Sequence, residues 1–255
     1  MENNRYLFAP PFCEKVETFI LPIPKFKFET SNGLRIAGGW RYFDQLRVIQ
    51  RKKNTYVEVI MTPKKLLRSS KIHCKSSLIK AEINLENITK KRPAYSKCPM
   101  SQPHIMGVIN LTPDSFYKNS RKHDYASVEK TLKTMENCGA SIIDTGGEST
   151  KPRSKIISVS EEKRRVIQVI ERLKENNSKS LISIDTRNFN TMKIGYKNNV
   201  DIINDITGLK DKNKINFVSK NKIPIIVMHM QKNPTTMQNN PKYSFAPLDI
   251  YNFFF

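Results

Sequence analysis

A regular alternation beginning near residue 105 constrains the fold more than any other feature of the sequence. Short apolar runs at 105–111, 141–144, 181–184, 201–203 and 223–228 are separated by longer stretches with helical spacing. Runs of that length bounded by polar residues read as strands, and β-α-β-α order implies parallel strands joined by helical crossovers. The first helix is expected at 125–138, with Val128, Leu132 and Met135 on one face and Gly139 as its C-cap. In the next, Ser160 is expected as N-cap, with Glu161 and Glu162 in the first turn and Val166, Ile167, Ile170 and Leu173 as the buried stripe. Further helices are expected through Met192 and Ile194, over 215–220, and from Leu248 onward. The fold class is α/β: a parallel sheet with helices outside it.

Each apolar run ends in polar residues. The first ends at Asn110, the second in Asp144-Thr145-Gly146-Gly147-Glu148, the third in Asp185-Thr186-Arg187, the fourth in Asn204-Asp205 and the fifth at His229. In parallel α/β architectures ligands sit at the carboxyl ends of the strands, so five polar strand ends point to one polar pocket. Taken singly, each has an ordinary structural explanation. Asp185 can cap a helix, Asn204 can form a turn, and Asn110 can make an Asx turn before Thr112-Pro113. A lone histidine at a strand end is expected to be a structural hydrogen-bonder, and His229 is given no catalytic role.

Residues 1–90 form a separate region containing β-rich runs at 46–49 and 56–61, a candidate hairpin. Gly33, Gly38 and Gly39 mark turns before Trp40, and no chemical motif stands out there. Residues 91–103 are proline-rich and charged and read as a linker, leaving 104–255 as the second domain. The net charge of +21 raises nucleic-acid binding. The basic residues are scattered in short groups, though, and Lys, Asn and Ile are abundant throughout, which reads as compositional bias rather than a phosphate-binding stripe. Four scattered cysteines without a CxxC pair argue against a disulfide scaffold or zinc site and for a reducing cytoplasm. The sequence contains neither a membrane-spanning apolar run nor a readable signal peptide.

Five segments in order carry a specific resemblance: IMGVINLTPDSF at 105–116, DTGGESTKP at 144–152, ISIDT at 182–186, INDI at 203–206 and VMHMQ at 227–231. Together they resemble the dihydropteroate synthases, a pterin-binding family. The resemblance implies a (β/α)8 TIM barrel, present here as about five βα units. It also implies a folate (tetrahydrofolate) biosynthesis transferase that joins 6-hydroxymethyl-7,8-dihydropterin diphosphate to 4-aminobenzoate and releases diphosphate. By the same resemblance Asp185 accepts hydrogen bonds from the pterin amino group and adjacent ring N–H, and Asn204 reads another ring edge. Asn110 approaches a Mg²⁺ ion, Thr150 donates to the diphosphate, and Met228 packs against the pterin or fills the barrel. The implied partners are small molecules, with neither nucleic acid nor membrane, and a homodimer for a full-length chain.

The match is not complete. After Phe116, Tyr117-Lys118-Asn119-Ser120 replaces the usual Ser-Asp-Gly-Gly, which stiffens a loop expected to fold over the site. Lys151 stands where Arg is usual and Arg153-Ser154 replaces Gly-Ala. Lysine keeps the charge but loses the bidentate fork. The barrel portion is also short of the roughly 250 residues that a closed barrel takes. Strands carrying a second pterin-binding Asp, a Lys after a Ser, and an Arg with His are expected in the family, and nothing in 1–90 resembles them. The expectation is therefore a C-terminally truncated, inactive chain with open edges at its first and fifth strands. The alternatives are a methyltetrahydrofolate methyltransferase-like barrel and an inactive pterin-binding module.

Overall fold

The computed structural model describes residues 7–14, 16–26, 33–53, 55–92, 94–100, 102–111, 123–148, 156–175, 178–233 and 236–254, with side chains of the first barrel helix from Val128 onward. The chain divides into two compact units, one of Met1–Tyr95 with Pro99–Pro103 and the other of Ser96–Cys98 with His104–Phe255.

In the first unit, β1 (Glu17–Pro22), β4 (Leu46–Lys52) and β5 (Thr55–Met61) form an antiparallel sheet in the order β1-β4-β5, and β2 (Leu34–Arg35) pairs with β3 (Tyr42–Phe43). The expected hairpin is the β4–β5 pair. Two helices that the sequence reading missed follow it, α1 (Pro63–His73) and α2 (Lys75–Thr89). Their signal was present: the Thr62 hydroxyl accepts from the Lys65 amide at 3.2 Å and Pro63 opens the helix, a cap followed by proline at the first turn. Phe43, Leu46, Val48, Leu66 and Ala81 make the fully buried centre of this unit. The segment read as a linker carries a two-stranded ribbon, β6 (Ala94–Tyr95) with β7 (Cys98–Pro99).

The second unit alternates as expected: β8 (Ile105–Asn110), α3 (His123–Asn137), β9 (Ala140–Gly146), α4 (Val159–Glu175), β10 (Leu181–Asp185), α5 (Phe189–Lys197), β11 (Ile202–Asp205), α6 (Lys212–Lys220), β12 (Ile225–Val227) and α7 (Ala246–Phe254). All five strands are parallel, in the order β12-β11-β10-β9-β8, an unclosed part of a TIM-type barrel. The two outer strands, β8 and β12, are those expected at the edges. Side chains alternate across each strand. Ile109, Ile143, Ile182, Ile184 and Ile203 face the helices, packing with Val128 and Leu132 of α3, Val166 and Ile170 of α4, and Met192 of α5. The other face carries Asn110, Asp144, Gly146, Ser183, Asp185 and Asn204.

Two helix details correct the sequence reading. The cap of α4 is Ser158, whose hydroxyl accepts from the Glu161 amide at 3.2 Å, not Ser160. The two serines are themselves hydrogen-bonded at 2.9 Å, and the helix begins two residues earlier than a cap at Ser160 would allow. The α4 stripe is rotated as well: Val169 is buried and Ile167 only partly, because Glu162 and Arg165 occupy the same buried face. Gly139 takes φ +89, as its C-cap position requires.

Candidate active site

The strand register places the polar residues in one row. Asn110 pairs with Gly146, Gly146 with Asp185, Asp185 with Asn204, and Asn204 with Ile226. Register partners in a parallel sheet project to the same side, so the row runs along one rim of the helix-free face. Gly146 leaves a gap in it. A Cβ at that position would lie 3.5 Å from Asp185 Oδ2 and 3.6 Å from Asn110 Oδ1, so both oxygens border the space above one glycine. Gly147 serves a different purpose: the Glu162 carbonyl would stand 2.9 Å from a Cβ there, so the residue lets α4 approach the end of β9.

One layer below the row, Asp144 is 3% exposed and accepts from Ser183 Oγ at 2.6 Å and Asn204 Nδ2 at 3.0 Å. That second bond fixes the Asn204 amide and leaves its carbonyl oxygen for a ligand. Burial pushes the Asp144 carboxyl up, against the two hydrogen bonds. Asp185 is raised further, to about 7, first by burial and then by the charges of Asp144, Glu162, Asp205 and Glu148. A carboxyl held that high at a strand end is poised to gain from a ligand that donates N–H groups to it. Asp185 is not the cap of α5; Asn188 holds that position.

A belt of buried charge braces the rim. Arg165 Nη1 donates to the carbonyls of Leu111 at 3.1 Å and Gly147 at 3.0 Å, tying the ends of β8 and β9 together. Fully buried Glu162 accepts from Thr186 Oγ1 at 2.6 Å, Asn188 Nδ2 at 2.9 Å and Thr191 Oγ1 at 2.5 Å. Arg187 forks onto Glu148, and Lys214 Nζ donates to the Arg187 carbonyl at 2.6 Å. Sequence reasoning placed Asp144, Glu148, Thr186 and Arg187 among the polar strand ends but gave no individual role to any residue of this belt, nor to Asp144 or Ser183. The acid that ends the second apolar run was the available signal for Asp144.

Of the five residues singled out from the sequence, the structure brings Asn110, Asp185 and Asn204 into the row. Met228 directly follows β12 at the same rim and is 40% exposed. Thr150 lies outside the described residues, as do Lys151, Arg153 and the departing loop 117–120. His229, expected as a hydrogen-bonder, is recorded in ring packing instead, with centroids 4.6 Å from Phe253 and 5.7 Å from Tyr243. Among the described residues no group of three or more His, Cys, Asp or Glu is placed to hold a metal ion.

The family model described as "Pterin binding enzyme" matches residues 106–250, more than half of the chain. This chain belongs to the pterin-binding enzyme family. The dihydropteroate synthase of Escherichia coli (strain K12) is 40% identical over 154 residues, covering 60% of this chain and 54% of that protein. Two solved structures of the pterin-binding enzymes are also similar. The Yersinia pestis dihydropteroate synthase with a sulfonamide drug complex matches with TM-score 0.53 at 34% identity, covering 60% of this chain and 55% of that one. The Burkholderia cenocepacia dihydropteroate synthase complexed with 7,8-dihydropteroate matches with TM-score 0.52 at 30% identity, covering 64% and 55%. The chain thus spans about half the length of these pterin-binding relatives. No helix among its described residues is long and apolar enough to cross a membrane.

Proposed function

We propose that this chain supplies the pterin-reading side of a dihydropteroate synthase, which joins 6-hydroxymethyl-7,8-dihydropterin diphosphate to 4-aminobenzoate with release of diphosphate. The Asp185 carboxylate accepts from the pterin amino group and its neighbouring ring N–H, a charge-assisted pair in a partly buried slot. Asn204, its amide N–H₂ committed to Asp144, offers its carbonyl oxygen to a further ring donor. Met228 lines the same rim, and Thr150 donates to the diphosphate. The residues suit Mg²⁺: the Asn110 Oδ1 is a neutral hard oxygen bordering the same gap as Asp185. When bound, the ion neutralises charge on the departing diphosphate. The amine of 4-aminobenzoate then attacks the pterin methylene carbon, with no covalent enzyme intermediate required.

The observation that carries this reading is the shared space over Gly146, bordered by Asn110 and Asp185, with Asn204 next along the row. Calorimetry with 6-hydroxymethylpterin, and with its diphosphate plus Mg²⁺ and 4-aminobenzoate, tests it alongside an assay for dihydropteroate. Pterin binding is expected. Binding without any product in the assay favours an inactive pterin-binding module, and tighter binding of methyltetrahydrofolate favours a methyl-transferring relative. Absence of binding by every pterin contradicts the reading.

A further inference from the structure

In the first unit, Trp40 and Arg41 close the turn that joins β2 to β3, and backbone bonds pin that turn to the end of α2. The Ile36 amide donates to the Arg41 carbonyl at 2.9 Å, the Ala37 amide to the Ile88 carbonyl at 2.7 Å, and the Arg92 amide to the Ala37 carbonyl at 3.2 Å. Gly38, at φ +69, lies so close to the chain leaving α2 that a Cβ there would stand 2.8 Å from Lys91 Cβ. On the other side Lys25 pairs with Tyr42 in a single β-bridge, which brings Phe26 beside Trp40. Residues far apart in the sequence, Phe26, Arg35, Trp40, Arg41, Lys91 and Arg92, thus gather around one turn.

The rings of this cluster are open and its cations lack counter-charge. Phe26 and Trp40 are 73% and 51% exposed, with ring centroids 6.1 Å apart. The Arg41 guanidinium lies between them, its Cζ 3.3 Å from the Phe26 centroid and 4.3 Å from that of Trp40, and Arg35 Cζ lies 5.2 Å over Tyr42. Such cation–π contacts order a ring and cover only one of its faces. Among the described residues none of Arg35, Arg41, Lys91 and Arg92 makes an ion pair. Residues 1–95 hold 19 lysines and arginines against 8 aspartates and glutamates, so the surrounding field is positive too. Basic residues that read as scattered along the chain are here brought together around two exposed rings. We propose that this face of the first unit binds single-stranded nucleic acid, with unstacked bases on Trp40 and Phe26 and phosphates against Arg35, Lys91 and Arg92. An open ring face stacks with a base of any identity, whereas a duplex keeps its bases stacked on one another and presents phosphates alone. The surface lies outside residues 106–250, which match the pterin-binding family, and does not depend on the pterin reading.

Trp40 is the one tryptophan of the chain, so its fluorescence reports on this turn directly. The full chain is titrated with an oligouridylate and an oligothymidylate of about ten nucleotides, and with an abasic strand of the same length. Both oligonucleotides are expected to quench Trp40, with affinity falling about tenfold or more between 50 and 200 mM salt. Quenching by one of the two alone would support the proposal and name the sugar recognised. The abasic strand should bind at least about fivefold more weakly, because it offers phosphates without bases. With a labelled strand followed by anisotropy, Trp40→Ala should lose about tenfold in affinity at an unchanged salt slope, while Lys91→Gln should make that slope shallower by about one. Both side chains are exposed, so the variants are expected to fold; if Trp40→Ala does not, the abasic comparison on the wild-type chain decides. Equal affinity for the abasic strand, strand binding that leaves Trp40 fluorescence unchanged, or quenching by phosphatidylserine vesicles but by neither oligonucleotide would overturn the proposal.

Discussion

On the helix-covered face of the β8–β12 sheet, Ile109, Ile143, Ile184 and Ile203 are each no more than 1% exposed and belong to the apolar core. Toward the carboxyl ends of the strands the opposite face carries the polar residues Asn110, Asp144, Ser183, Asp185 and Asn204. The same strands therefore build a face that stabilises by burial, which has no direction, and one where what matters is which atom points where. The second face also bears a cost. Asp144 and Asp185 are held near each other with both carboxyls raised, a tension that a purely structural sheet has no reason to keep.

Substitutions at adjacent positions can separate the two faces. The largest effects belong to the helix side. Ile184→Ala should lower stability by about 2–5 kcal/mol in urea unfolding, with pterin affinity of the folded fraction unchanged. Glu162→Ala should cost about 2–4 kcal/mol, because two buried donors, Thr186 and Thr191, and the half-buried Asn188 lose their acceptor together. Asp185→Asn, one residue along from Ile184, should do the reverse. Its folded carboxyl keeps a proton that the unfolded chain gives up, so wild-type stability falls as pH rises from about 4 to about 7. The Asn variant lacks that decline and should be more stable than wild type by about 1–3 kcal/mol at pH 8, read as a higher melting temperature. Equal pH profiles for the two proteins would show that Asp185 is not held high. The smallest effect is expected at the start of α4: Ser158→Ala should cost about 1 kcal/mol and Ser160→Ala within about 0.5 kcal/mol.

The helix side was largely legible in the sequence, because buried parallel strands read as short apolar runs and amphipathic helices repeat every three to four residues. The polar ends were legible too, since Asn110, Asp185 and Asn204 each follow an apolar run directly. What was not legible is pairing across space. Nothing in the sequence says that Arg165 reaches the carbonyls of Leu111 and Gly147, or that Arg187 meets Glu148. These bonds join residues far apart in the chain, and a basic residue on an amphipathic helix reads as solvated until its neighbours are placed. The caps of α4 failed for a local reason: Ser158 and Ser160 are chemically alike and two residues apart, and only the helix start decides between them. In the first unit α1 was obscured because its buried face is only Pro63, Leu66 and Ser70, too little apolar surface to stand out among its lysines.

Binding of 6-hydroxymethylpterin as a function of pH, in wild type and Asp185→Asn, addresses the central idea most directly, because the ligand requires the ionised carboxylate. Wild-type affinity should be highest above pH 8 and about tenfold weaker at pH 6, falling through a midpoint near 7, with proton release on binding near that midpoint. The Asn variant should bind at least about a hundredfold more weakly and without this pH dependence. A pterin affinity that is flat across this range in wild type, or that survives in Asp185→Asn, would place the recognition of the ring somewhere other than this row of strand ends.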